Sequence, residues 1–207
     1  MRKTMVLMSV LALTAPVMAG GVWNEDGDAP ELLPGQAVIG AGNLAEIFGR
    51  FDAGSDVDLY QIMITDADAF SASTVDRCDC DTQLFLFDAD GFGVTHDDDN
   101  EVPGVGLTSL ITGRFVTGPG LYYLAVTQYN NDPATAANQL IWNNTPFRAE
   151  RAPDGPGAAG ALDHWQYAFG SVADYSIGLT GAGFVPAPGS LALLGLAGVF
   201  GRRRRKA

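Results

Sequence analysis

Between Gln36 and the C-terminal tail, no stretch of this chain sustains the apolar spacing of a helix. Short runs rich in Val, Ile, Phe, Tyr and Thr alternate there with clusters of Gly, Asp, Asn and Pro, a rhythm that closes one short strand after another with a turn. Candidate strands fall at 45–51, 59–64, 69–73, 83–87, 107–110, 120–127 and 175–180. In the second of these, Tyr60, Ile62 and Ile64 share one face, whereas Leu84, Phe85, Leu86 and Phe87 form an unbroken apolar run suited to a strand covered on both sides. The pattern predicts an all-β fold, a jelly-roll-like β-sandwich, because two sheets of short strands bury their inner faces against each other.

Both ends of the 207-residue chain read as trimmings. Met1-Arg2-Lys3, an apolar stretch from Met5 to Leu13, and Ala15-Pro16-Val17-Met18-Ala19 follow the charged, apolar and small-residue order of a secretory signal. Cleavage is expected after Ala19, with a buried N-terminal helix as the alternative. Residues 20–35 are an acidic, Pro- and Gly-containing lead without periodicity, expected as a loop or extended arm. The folded body is placed at 36–183, interrupted by an insertion at about 129–170, and a tail occupies 184–207. In that tail an apolar run from Leu191 to Phe200, expected as a short hydrophobic helix, precedes Arg202, Arg203, Arg204, Arg205 and Lys206. The run is short for a bilayer span unless residues 184–189 contribute; the arginines would then stay cytoplasmic by the positive-inside rule.

Seven of the twelve basic residues lie in the two ends, so five arginines and no lysine face all 24 acidic residues in between, a formal net charge of −19. Such a surface repels phosphate backbones and anionic membranes, which argues against a nucleic-acid partner. It also repels itself, and in an exported protein the natural offset is a divalent cation or a salty medium. The aspartates gather at strand ends: Asp52, Asp56 and Asp58; then Asp76, Asp79 and Asp81; then Asp88 and Asp90, followed by Asp97, Asp98 and Asp99. Calcium suits carboxylates converging from loops, since it takes about six to eight hard oxygen ligands in flexible geometry. Asp88-Ala89-Asp90-Gly91 begins like a calcium loop, but Asp99 stands where an EF-hand has its bidentate Glu, and an Asp-Gly hairpin turn explains the same residues without metal.

Cys78 and Cys80, the two cysteines, are separated by Asp79. Export would let a disulfide persist, yet an extended chain holds Cα atoms two residues apart at roughly 7 Å, the upper end of what a disulfide spans. A bridge here requires a turn. In the insertion, Trp142, Trp165 and Tyr167 offer a sugar-stacking platform for an extracellular polysaccharide, with core packing as the alternative. His96 and His164 are the only histidines, and no nucleophile elbow, His-Glu-x-x-His helix or phosphate loop is present. These features point to a non-catalytic protein, with a carbohydrate-binding module or, further off, a secreted hydrolase as the other readings.

Two resemblances refine this. The order Asp56-Val57-Asp58-Leu59-Tyr60, then Asp81-Thr82-Gln83-Leu84-Phe85-Leu86-Phe87-Asp88-Ala89-Asp90-Gly91, then Asp97-Asp98-Asp99, then Gly120 to Val126 resembles the bacterial pre-peptidase C-terminal domains. That resemblance implies a small β-sandwich accessory module of secreted proteins and nominates Asp56, Asp58, Asp88, Asp90, Asp97 and Asp98 as calcium ligands. The end of the chain, with Pro186-Ala187-Pro188-Gly189, the apolar run and Arg202 to Arg205, resembles a PEP-CTERM sorting signal, with Ala187 where that family's name has glutamate. It implies a membrane exosortase-type enzyme as partner, transient anchoring by the tail, and a destination at the cell surface or in the extracellular matrix.

Overall fold

A computed structural model describes residues 20–101, 106–166 and 169–188. The secretory signal at 1–19, Tyr167, Gly189 and the segment carrying Leu191 to Arg205 lie outside these. The described chain is all-β. One sheet contains β1 (Gly21–Asn24), β3 (Leu44–Phe51), β12 (Ala173–Thr180), β5 (Ser71–Ser73) and β8 (Leu110–Thr112), in that order. The other runs β13 (Ala182–Gly183), β4 (Val57–Ile64), β9 (Gly120–Gln128), β6 (Thr82–Phe87) and β7 (Gly93–Asp97), with β2 (Gln36–Ala37) beside β13 on the outer edge of β4. A separate hairpin pairs β10 (Asp132–Ala134) with β11 (His164–Gln166).

The two large sheets share one core, the arrangement of a sandwich. Ile47, Phe51, Ala72, Ile111 and Ile177 come from the first sheet, and Tyr60, Ile62, Ile64, Leu84, Leu86, Leu124 and Val126 from the second. Strand alternation sends the intervening residues of the second sheet the other way, where Val57, Leu59, Phe85, Phe87, Tyr123 and Ala125 meet Ile141 and Trp142 of the insertion. The insertion is therefore a third layer. Every residue of β6 is buried, which is why Leu84 to Phe87 read as continuous apolar sequence rather than as alternation.

Strand edges shift from the sequence expectation where polar groups intervene. The run at 107–110 gives way to a strand starting at Leu110, because the amide of Ser109 donates to the Thr74 hydroxyl at 3.0 Å and its own hydroxyl donates to the Thr82 carbonyl at 2.5 Å. The acidic lead is ordered: β1 pairs in parallel with β3, the chain crosses between the sheets, and β2 returns in parallel with β4. At the other end the body extends past 183, since the amide of Val185 donates to the Val38 carbonyl at 2.8 Å. Pro186, Ala187 and Pro188 follow directly and are exposed. No helix of the described residues is long and apolar enough to cross a membrane.

A candidate metal-binding pocket

A concave site of about 350 Å³ opens where the second sheet meets the insertion, lined in part by Asp81, Asp98, Asp99, Asp132, Tyr129 and Phe147. Three different segments supply the acids. Asp81 precedes β6, Asp98 and Asp99 leave β7, and Asp132 opens β10 in the insertion. Strand pairing brings them together: β6 lies between β7 and β9, and β9 leads directly into the loop before Asp132. The amide of Asn131 is held by the Gln83 side-chain carbonyl at 3.1 Å, and the amide of Tyr129 by the Asp81 carbonyl at 3.0 Å.

Asp98 and Asp132 are each 6% exposed. The buried atoms Asp81 Oδ1, Asp98 Oδ1 and Asp132 Oδ2 have no hydrogen-bond partner, and one carboxylate oxygen from each of Asp81, Asp98 and Asp99 lies within 4.8 Å of the others. Burial pushes the Asp98 carboxyl up to about 8, with Asp81, Asp99, Asp132 and Asp97 adding repulsion. Burial and the charge of Asp99 raise Asp81 to about 6. Asp132 rises to about 6 through burial, tempered by the Gln83 amide and the positive charge of Arg151. Arg148 reaches the edge of the cluster, its Nε 3.5 Å from Asp99 Oδ2. Unpaired buried carboxylate oxygens are costly unless a cation or proton meets them, so this buried acidic cluster could hold a metal ion through oxygen ligands alone.

The walls are fixed from the insertion side. Arg151 exchanges backbone hydrogen bonds with His96 at 3.1 and 3.0 Å. Its guanidinium donates to the Thr145 carbonyl at 3.0 Å, to Asp154 at 2.9 Å and to the Asn143 carbonyl. His96 stacks on Phe85 with ring centroids 4.3 Å apart and its Nδ1 meets the Leu84 carbonyl at 3.2 Å. Burial, followed by the Arg151 charge, drives its pKa down to about 3, leaving a neutral ring.

The residues nominated from sequence separate into different roles. Asp98 joins the pocket. Asp97, its neighbour, points elsewhere as strand alternation requires, accepting the Leu110 amide at 2.7 Å and so tying β7 to β8. Asp88 and Asp90 belong to a turn and do not line this pocket: Asp88 Oδ1 accepts the amides of Asp90 and Phe92 at 3.0 and 2.9 Å, and Gly91 takes a φ of +84°. Asp56 likewise caps a turn through the Asp52 amide at 2.5 Å. Asp58 is fully buried at the start of β4, accepting the Tyr175 hydroxyl at 2.6 Å, and Tyr175 in turn meets Tyr60 at 2.7 Å.

Asp132 went unmarked in the sequence because Asn130-Asn131-Asp132-Pro133 reads as a break in strand rhythm, with nothing to pair it across the sheet with Asp98. The aromatic platform is also corrected. Trp142 is 2% exposed, its ring set against Phe85, Phe87 and His96. Trp165 is half-buried with its edge toward the same two phenylalanines and its indole N–H on the Glu31 carbonyl at 2.8 Å. Both serve the third layer. Cys78 and Cys80 do form a disulfide, the bend around Asp79 bringing their Cα atoms to 5.1 Å. No protein-family model, curated protein or solved structure matches the chain.

Proposed function

We propose that this chain is an exported, non-catalytic surface or extracellular-matrix protein whose sandwich is stabilised by calcium in the Asp81–Asp98–Asp99–Asp132 pocket. The observation that carries the reading is the set of three buried carboxylate oxygens, on Asp81, Asp98 and Asp132, without hydrogen-bond partners around one pocket. Calcium is favoured over zinc because the donors are all carboxylate oxygens and no thiolate joins them. It is favoured over magnesium because three segments meeting at a wide pocket suit a large, irregular coordination shell better than a tight octahedron.

Export and tail sorting are supported by the signal-like order at the N-terminus, by the apolar and basic C-terminus, and by the exposure of Pro186 to Pro188 directly after Val185, whose amide is held by the Val38 carbonyl. A sorting enzyme could reach that triplet without unfolding the body. The first test is a thermal melt of the full chain after chelation, with calcium titrated back and magnesium as control. A calcium-selective rise of several degrees is the expected outcome, since a ligand that prefers the folded state stabilises it by mass action. Melting that is indifferent to calcium removes the metal from the proposal. The sorting part fails if surface-located protein in its native host retains the intact C-terminus by mass spectrometry.

A further inference from the structure

The floor and the mouth of the acidic pocket differ in chemistry. At the floor, Asp98 Oδ1 and Asp132 Oδ2 lack hydrogen-bond partners on side chains that are only 6% exposed. At the mouth stand two aromatic residues, Tyr129 and Phe147, each 47% exposed although the core of the protein has room for neither role nor ring there. Both are fixed to the acids through the backbone. The Tyr129 amide donates to the Asp81 carbonyl at 3.0 Å, and the Asp99 amide donates to the Phe147 carbonyl at 2.9 Å. Each ring is thereby set beside a carboxylate of the cluster.

Two side-chain amides share the mouth. Asn130 and Asn144 both line it, and Asn144 Nδ2 lies 3.4 Å from Asn130 Oδ1. An amide side chain offers two N–H donors and an oxygen with two lone pairs, so that contact leaves donors and acceptors on both residues for a ligand. A space of about 350 Å³ falls at the small end of ligand pockets, which run from about 300 to 1,000 Å³. The combination of a hard cation below, amides at the side and flat apolar rings at the rim matches a saccharide. Adjacent sugar hydroxyls can supply two of the roughly six to eight oxygens that calcium takes, while the C–H face of the ring lies against an aromatic side chain. Charge selects among saccharides: Asp81, Asp98, Asp99 and Asp132 together outweigh one dication and Arg148 at the edge, so a uronate would meet residual repulsion.

Building on calcium in this pocket, we propose that the site binds a neutral glycan, with adjacent sugar hydroxyls ligating the ion and Tyr129 and Phe147 taking the apolar face of the sugar. The glycan surface thus lies at the pocket mouth, and Trp142 and Trp165 belong to the packing beneath it.

The test is native affinity electrophoresis of the full chain through gels holding galactomannan, a neutral polymer with adjacent ring hydroxyls, or hyaluronan, an acidic one. Each gel is run with calcium and with EDTA on the parent, Phe147→Ala and Asp98→Asn, and each protein is also melted with and without calcium. Phe147 is exposed and engages Asp99 through its backbone, so its replacement should leave the fold and the calcium-induced rise in Tm intact. Galactomannan should slow the parent in calcium and not in EDTA; Phe147→Ala should bind it at least tenfold more weakly, and Asp98→Asn should lose both the slowing and the rise in Tm. A parent that gains Tm with calcium yet runs unslowed through galactomannan overturns the glycan site and leaves the calcium pocket standing. A parent whose Tm ignores calcium overturns the calcium reading itself. Slowing that survives EDTA overturns the metal bridge, slowing undiminished in Phe147→Ala overturns the aromatic contact, and stronger slowing by hyaluronan overturns the preference for a neutral sugar.

Discussion

Replacing Asp98 with Asn should stabilise the metal-free protein and, in the same stroke, remove most of its response to calcium. The folded-state carboxyl sits near 8 instead of 3.8, raised by burial first and by Asp81, Asp99, Asp132 and Asp97 after it. Between those two values the folded protein binds more protons at this site than the unfolded chain, so stability is full below about pH 4 and is lost as pH rises through 8. At pH 8.5 the ionised Asp98 costs the apo protein on the order of 2–5 kcal/mol. Asn keeps the shape, carries no charge and brings an N–H donor toward the unpaired oxygens of its neighbours. For a body of this size, relief of about 2 kcal/mol corresponds to a rise in Tm of roughly 4–8 °C. Calcium at a hundredfold excess over its Kd would stabilise the parent by about 2.7 kcal/mol, and the variant far less. Differential scanning calorimetry at pH 8.5, with EDTA and then with calcium, should give curves that exchange order. A variant that melts lower than the parent in EDTA would refute the electrostatic account, and one that keeps the full calcium shift would refute the ligand assignment.

Apo stability should also decline from pH 6.5 to 8.5, a window in which Asp97 at about 7 and Asp98 at about 8 lose protons while unfolded histidine, half protonated at the start, offsets only a small part of the loss; urea midpoints across that range check it. Below pH 6.5 His96, held near 3, works the other way, because the unfolded chain gains a proton that the folded chain refuses; His96→Phe should flatten that opposing contribution in the same titration. Gly49→Ala should cost about 1–3 kcal/mol by chemical denaturation, since a Cβ there would lie 2.3 Å from the Tyr175 hydroxyl and 2.7 Å from that of Tyr60. Trp142→Ala should cost about 3–5 kcal/mol through the cavity it leaves under the insertion, read as a lower urea midpoint. Reducing the Cys78–Cys80 bridge, which closes a loop of only three residues, should cost no more than about 2 kcal/mol and leave the circular dichroism spectrum intact.

The strands were legible in the sequence wherever burial follows a simple period. Tyr60, Ile62 and Ile64 do enter the shared core, and the unbroken Leu84 to Phe87 run does mark a strand covered on both faces. β7 was missed because its sequence, Gly93-Val94-Thr95-His96-Asp97, buries polar side chains whose partners lie far along the chain, such as Glu150 for Thr95 at 3.1 Å. The pocket was half legible. Clustering along the sequence pointed to Asp98, but it gave equal weight to Asp88 and Asp90, which belong to a turn built on Asp88 Oδ1 and do not line the pocket. Asp132 and Asp81 join Asp98 only through the β6–β7 and β6–β9 ladders, a relation that exists in register and not in spacing.

The antiparallel run of β9 fixes a direction in the whole body. Its first residue, Gly120, pairs with Ile64, next to which β13 leads to the exposed Pro186; its last, Gln128, pairs with Thr82, beside the acids of the pocket. β9 is nine residues long, about 27 Å from end to end at the usual rise. The exposed Pro186 to Pro188 triplet and the acids of the pocket therefore lie toward opposite ends of β9.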